Sequence, residues 1–307
     1  MVGDLSRRDF IKAGLGAAVA AAMPRVLFAA KPDQPEGPTL GVARGTNSKL
    51  VKGAVDLVGG IKQFVKPGNT VCVKPNISFA ANIECGATTS PAVARQVVQL
   101  CLDAGAARVV LVDNTLAAAE LCVEKSGIEQ AVVDKSKVSL LTLSKERQFA
   151  DVAIPKGKEL KATRIAKVAL ESDVLINLPT AKSHSATGIS LGMKNLMGLV
   201  WDRGVMHRLN LHQAIADLST VIRPDLIILD ATRALTSGGP GGPGKTVKLD
   251  TVIAGTDPVA VDSFAVGMTQ WYNKSFTGKS VKYIVAAAGL GLGEIDTAKM
   301  NLKEVSV

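Results

Sequence analysis

Lys182, His184, Lys194 and Asn195 fall within fourteen residues of otherwise small or apolar sequence, in the segment Asn177-Leu-Pro-Thr-Ala-Lys182-Ser-His184 to Lys194-Asn195-Leu-Met-Gly198. A lysine in such surroundings either snorkels to water or binds an anion. A histidine beside it can move a proton or ligate a metal. Lys182, His184 and His207 are therefore candidate catalytic groups. Lys74, Asn76, Lys194 and Asn195, together with Gly239 and Gly241, are candidates for a crevice that holds an anion or cofactor. His184 and His207 with a carboxylate such as Asp230 or Asp262 are candidate metal ligands. The three histidines of the chain are His184, His207 and His212. His207 and His212 lie five apart, about 140° around a helix, so they do not form a simple two-histidine helical site. For each histidine alone, a structural hydrogen bond is the competing reading. The sequence leaves the cofactor unassigned.

These residues need a frame that brings them together. Thr70 to Pro75, Arg108 to Asp113, Val138 to Leu143, Asp173 to Pro179, Asp225 to Asp230 and Thr251 to Thr256 read as strands. Several are unbroken β-branched runs, the mark of strands buried on both faces. Leu50 to Val65, Pro91 to Ala104, Ala117 to Lys125, Leu211 to Ile222, Val259 to Trp271 and Val281 to Gly289 have helical spacing. Ser90 and Pro91 mark a helix start, and Gly105 its stop. The segment after Gly188 is also expected to be helical, with Lys194 about one turn in. The alternation predicts an α/β fold, a mostly parallel sheet covered by helices on both faces, in a single large domain. Lys74-Pro75-Asn76, Asp113-Asn114, Asn177 to Lys182, Asp230 and Asp257 each close an apolar run. In parallel sheets the ligand crevice lies outside the carboxyl ends of the strands, so these groups are expected to converge there. Taken singly, each is as readily a turn or helix cap. The loop-rich stretch 144–172 is a candidate small subdomain.

The 307 residues are 47% hydrophobic and 4% aromatic, with a net charge of +9. That apolar content excludes a disordered chain, and the few rings exclude a stacking platform for single strands. The surplus charge favours anionic partners, but it is scattered, which argues against nucleic acid. Cys72, Cys85, Cys101 and Cys122 are spaced 13, 16 and 21 apart. That pattern is neither a disulfide scaffold nor a zinc or ferredoxin set. Cys85, in a Gly/Thr-rich loop, is the one plausible reactive thiol.

Ser6-Arg7-Arg8-Asp9-Phe10-Ile11-Lys12 precedes eleven uncharged residues, Ala13 to Met23, and a small-residue exit near Ala29-Ala30. The run is too short to span a bilayer, and the pattern resembles a twin-arginine export signal. Residues 1–30 are thus read as an address, 31–38 as a Pro-rich tether and 39–307 as the α/β domain. The expected partners are the twin-arginine export machinery and a small anionic ligand. Contact with membrane is expected through an uncleaved signal segment alone. The expected location is the periplasm or another extracytoplasmic space.

Gly239-Pro-Gly-Gly-Pro-Gly244-Lys245-Thr246 satisfies the P-loop pattern literally. Two prolines remove backbone donors, and the residues after Thr246 read as strand, whereas a P-loop opens a helix. The segment is expected to be a loop able to admit an anion, without nucleotide hydrolysis.

Lys74-Pro75-Asn76, Thr88-Thr89-Ser90-Pro91, Asn177-Leu-Pro-x-x-Lys182-x-His184, Gly188-x-x-Leu-x-x-Lys194-Asn195-Leu-x-Gly198 and His207 resemble the DUF362 family. So do Asp230, Gly238-Gly239-Pro240 and Asp257-Pro-Val-Ala-Val-Asp262. The resemblance covers roughly residues 65–290. It implies that the Gly/Pro loop lacks P-loop geometry. Members often carry or adjoin ferredoxin-like iron–sulfur modules, whose cysteine set this chain lacks. Two functional readings follow. One is an exported enzyme acting on a small anionic substrate, with metal or cofactor assistance open. The other is a non-catalytic ligand-binding or iron–sulfur/redox accessory protein using the same crevice.

Overall fold

Alternating burial within each central strand dictates the architecture. Val71 and Val73 pack into one apolar layer while Cys72 packs into the other. Leu226 and Ile228 likewise oppose Ile227 and Leu229. A strand with period-two side chains that is apolar on both sides must be covered on both sides. The protein, a computed structural model describing residues 37–307, meets this demand with one large sheet between two helical layers. The signal segment and residues 31–36 of the tether lie outside the described residues.

The strands are β1 (Thr39–Arg44), β2 (Thr70–Pro75), β3 (Arg108–Asp113), β4 (Val138–Thr142), β5 (Phe149–Ala153), β6 (Ala162–Ala166) and β7 (Val174–Leu178). They continue as β8 (Thr180–His184), β9 (Gly188–Ser190), β10 (Leu226–Leu235), β11 (Thr246–Gly255), β12 (Gln270–Trp271), β13 (Lys274–Ser275) and β14 (Asn301–Ser306). The helices are α1 (Leu50–Asp56), α2 (Ile61–Phe64), α3 (Pro91–Asp103), α4 (Ala119–Ser126) and α5 (Lys167–Glu171). Then come α6 (Gly192–Asn195), α7 (Arg203–Arg208), α8 (Leu211–Leu218), α9 (Pro258–Val266) and α10 (Lys282–Gly289).

The large sheet runs β14-β1-β11-β10-β7-β2-β3-β4, with β8 beside β10 and β9 beside β8. Strands β10, β7, β2, β3 and β4 are mutually parallel, whereas β11 is antiparallel to both β1 and β10. The fold is thus α/β and mostly parallel, a single domain. On one face α3 buries Val93, Ala94, Val97, Val98 and Cys101, a stripe at helical spacing. Each of its three valines contributes roughly 1.5–3 kcal/mol. On the other face lie residues of α8, α9 and α10, including Ile215, Val261 and Ile284.

Several sequence expectations are corrected here. The helix expected over Leu50 to Val65 breaks at Gly59 and Gly60, whose φ values of 104° and 79° are left-handed. After Gly188 the chain forms strand β9 before the short helix α6. The stretch 144–172 is not a separate subdomain, because its residues 149–166 pack into the main core. They form a β5–β6 hairpin whose Phe149, Ile154, Leu160 and Ile165 join the main core. Ser90 stands at the N-cap of α3 without a side-chain cap bond; its N–H instead meets Asp230 Oδ2 at 2.7 Å. The Gly/Pro loop joins two antiparallel strands and is followed by β11, with no helix to hold a phosphate.

Candidate functional site

Parallel register places Lys74 of β2 beside Asn177 of β7 at the carboxyl edge of the sheet. Asp113, the last residue of β3, closes the same edge. The Lys74 ammonium is fully buried and pairs with Asp113 Oδ1 at 2.9 Å. It also donates to the Pro75 carbonyl and, at 3.1 Å, to Asn195 Oδ1. The other Asp113 oxygen accepts from Ile77 N at 2.8 Å and Ser78 Oγ at 3.2 Å. Gly198 lies against this pair. A Cβ there would fall 2.1 Å from Asp113 Oδ1 and 2.7 Å from Lys74 Nζ, so a side chain is excluded.

Two asparagines, Asn195 and Asn76, connect Lys74 to Lys182, and a third, Asn177, braces Asn195. The Lys182 ammonium, 1% exposed, donates to Asn76 Oδ1 at 2.8 Å and to the Ala87 carbonyl at 2.6 Å. An ammonium has no lone pair, so these contacts fix the amide directions. Asn76 Nδ2 donates to Asn195 Oδ1 at 2.9 Å. Asn195 Nδ2 donates to the Lys74 carbonyl at 3.0 Å and to Asn177 Oδ1 at 2.8 Å. Asn177 Nδ2 then reaches the Gly192 carbonyl at 2.9 Å. Every amide is satisfied, which makes the relay rigid. The Phe79 ring covers the Lys182 ammonium at 4.9 Å.

Lys182 has no carboxylate in contact among the described residues. Burial, reinforced by the charges of Lys194 and Lys74 and opposed by Asp113, brings its pKa down to about 7. Burial also brings Lys194 down to about 8, with Arg203 and Lys74 adding to the effect. No ion pair or hydrogen-bond acceptor meets the Lys194 ammonium among the described residues. Arg203, on α7, donates to the Thr115 carbonyl at 3.0 Å, and burial lowers its pKa too. Lys74, Lys182, Lys194 and Arg203 thus share one electrostatic neighbourhood with a single partnering carboxylate, Asp113. Clustered cations lose hydration and repel, an arrangement suited to a bound anion.

His184 ends β8, and its backbone N–H meets Tyr272 Oη at 3.1 Å. Its Nδ1 accepts the Ala186 N–H at 3.1 Å. Burial, then Lys194, Lys182 and His207, push its pKa down to about 3, so it is neutral at physiological pH. His207 is exposed on α7, its pKa lowered by partial burial and by Lys194 and Arg203.

Other sequence candidates lie elsewhere or are engaged. Asp230 accepts from Ser90 N, from Thr232 N at 3.0 Å and from Thr232 Oγ1 at 2.6 Å. Asp262 accepts from Gly192 N at 2.8 Å and Met193 N at 3.1 Å, anchoring α6. Both carboxylates hold backbone, and no group of three metal-binding side chains converges among the described residues. Asp257 does not join the carboxyl-edge crevice. Strand β11 runs antiparallel, so Gly255 pairs with Ile227 at the start of β10, and Asp257 caps α9. Burial, then the charge of Lys282, lower the His212 pKa, with no contribution from the lysine cluster. Gly239 N donates to Ser183 Oγ at 3.0 Å, and Gly241 packs against Phe79. The Gly/Pro loop therefore roofs the Lys182 cover and does not offer free N–H groups from Gly239. Cys85 is half-buried and free.

Sequence reasoning missed Arg203, Phe79 and the partnership of Asp113 with Lys74. Asp113 carried a signal as a strand-end carboxylate; Arg203 carried none beyond its closeness to His207.

The family profile described as "Domain of unknown function (DUF362)" matches residues 71–267, and that of the TAT (twin-arginine translocation) pathway signal sequence matches residues 4–24. The chain therefore carries a twin-arginine signal and is exported by that route, to the periplasm or another extracytoplasmic space. No helix among the described residues is long and apolar enough to cross a membrane. A thylakoid-associated protein of Synechocystis sp. is 28% identical over 191 residues, 60% of this chain and 58% of that protein. The match thus spans under two thirds of that relative. The lactate racemase apoprotein from Thermoanaerobacterium thermosaccharolyticum superposes with a TM-score of 0.41 at 14% identity, covering 71% of this chain and 56% of that one.

Proposed function

The chain belongs to the DUF362 family, and from that premise we propose that it is an exported enzyme that binds a small anion at the carboxyl edge of its sheet and moves a proton there. One observation carries the reading: four neighbouring cations, Lys74, Lys182, Lys194 and Arg203, share one carboxylate, Asp113. Lys74 is neutralised by Asp113 and serves to hold the asparagine relay. Lys194 and Arg203 are the groups left to attract the anion. Lys182, whose pKa is about 7, changes protonation within the working range and is the proton carrier. A purely storing site has no use for an amine held near neutrality by burial, which favours the enzyme over a binding protein. The reading is tested by incubating the exported protein with small carboxylates and phosphate esters in heavy water. Deuterium incorporation that disappears in Lys182→Met supports it. Tight binding with no exchange in any compound would return the protein to the class of ligand carriers.

A further inference from the structure

We infer that the free edge of β4 pairs antiparallel with β4 of a second copy of this chain, joining two sheets into one across a two-fold axis at Leu140. The large sheet ends on two unlike edges. Strand β14 is largely exposed and carries Lys303 and Glu304, charges that discourage a further strand. Strand β4, Val138-Ser-Leu-Leu-Thr142, carries no charge and no proline, and its last four residues are half-buried. An edge without such a device is open to a partner strand.

Two bonds fix which backbone groups of β4 point outward. Val109 N donates to the Lys137 carbonyl at 2.9 Å, and Leu143 N to the Asp113 carbonyl at 2.8 Å. With Val110 beside Ser139 and Val112 beside Leu141 in parallel register, Ser139 and Leu141 turn their N–H and C=O groups toward β3. Leu140 and Thr142 turn theirs away from the sheet, as Val138 does its carbonyl. Val138 N is engaged by the Asp134 carbonyl at 2.7 Å. No other strand among the described residues pairs with β4.

A second β4 centred on Leu140 meets this pattern. Leu140 exchanges both backbone bonds with its counterpart, and each Thr142 N–H reaches the opposite Val138 carbonyl. The surface is self-complementary, as a two-fold interface requires. Leu140 packs with the α3 layer and Leu141 with the layer of α8, α9 and α10, so the two faces differ. On the first face the two Leu140 side chains meet. On the second, each Leu141 stands opposite a Ser139, at the closer spacing of a non-hydrogen-bonded pair. A cavity of about 420 Å³ lies there, lined among others by Val110, Ser139, Leu141 and Val168. The small Ser139 side chain leaves room that the opposing Leu141 fills. Within the paired strands no like charges oppose each other, because β4 has none.

Light scattering of the exported protein over a concentration series tests this. The parent is expected to double in mass as concentration rises. Thr142→Pro removes an outward donor and no bond to β3, so it should stay monomeric with a Tm close to the parent's. Leu140→Cys gives a second measurement. In a hydrogen-bonded antiparallel pair the two Cα atoms lie about 5.5 Å apart, within disulfide reach. Mild oxidation should link Leu140→Cys into a covalent dimer, and should not link Thr142→Cys, whose counterpart is displaced along the strand. Should Thr142→Pro fail to fold, the two cysteine variants decide. A parent that stays monomeric at every concentration overturns the inference. A dimer that survives in folded Thr142→Pro, or Leu140→Cys that links no more than the parent, places the contact elsewhere and overturns it as well.

Discussion

Replacing Lys194 with methionine should stabilise the empty protein. Methionine keeps the length and apolar stem while removing the charge. The gap between the ordinary lysine value of 10.5 and about 8 corresponds to roughly 3 kcal/mol against the charged form. Lys194 keeps some solvent contact, which screens part of that penalty, so the expected gain is about 1–3 kcal/mol. For a domain of this size, that raises Tm by roughly 2–10 °C. The sign with pH follows from linkage. The folded value lies below the unfolded one, so between about pH 8 and 10.5 the unfolded chain binds more protons, and parent stability rises across that window. In Lys194→Met the rise should shrink, leaving the share of Lys182. The assay is thermal unfolding at low ionic strength, without added anions, from neutral pH to pH 10. A variant less stable than the parent at pH 7, or an unchanged pH profile, would refute the claim that Lys194 is a buried charge lacking a partner.

Other perturbations give separate checks. Gly198→Ala forces a methyl into the Lys74–Asp113 pair and should destabilise by about 3–5 kcal/mol, read as a lower urea midpoint; near-parental stability would mean that the pair is not held as described. Lys245→Ala, at a side chain bonded to Asn273 Oδ1 at 3.2 Å and remote from any helix start, should leave Tm and the absence of ATP binding unchanged; Mg-dependent ATP binding lost in the variant would revive the P-loop. Arg7→Lys with Arg8→Lys should strand the protein in the cytoplasm, because lysine lacks the planar fork of arginine; fractionation showing normal export would contradict this.

The sequence carried much of the site because strand ends are legible. Lys74, Asn177 and Lys182 follow unbroken apolar runs, and parallel register brings such ends together. The asparagine relay was visible as residue types but not as connections, since the bond from Asn76 to Asn195 crosses 119 residues and that from Asn195 to Asn177 joins a strand to a helix 18 residues on. Asp257 was misplaced for a physical reason. Its strand, β11, has an apolar half that looks like any buried parallel strand, while antiparallel pairing to β10 and β1 reverses its direction. Strand β14 escaped notice because it is largely exposed and carries charges on a sheet edge, where the hydrophobic pattern fades. The surroundings of His184 were equally invisible in the sequence: the Ala186 N–H on Nδ1 and the burial that lowers its pKa both come from the β8–β9 turn.

The central claim is that surplus positive charge at the carboxyl edge binds a small anion. Calorimetric titration of glycolate and phosphate into the exported protein at low ionic strength tests it directly. The account predicts saturable binding that weakens with added salt. It predicts a loss of about tenfold or more in Lys194→Met and in Arg203→Met, and none in Lys248→Met, whose lysine is exposed on β11. An absence of anion binding in the parent, or equal binding by all three variants, would contradict it.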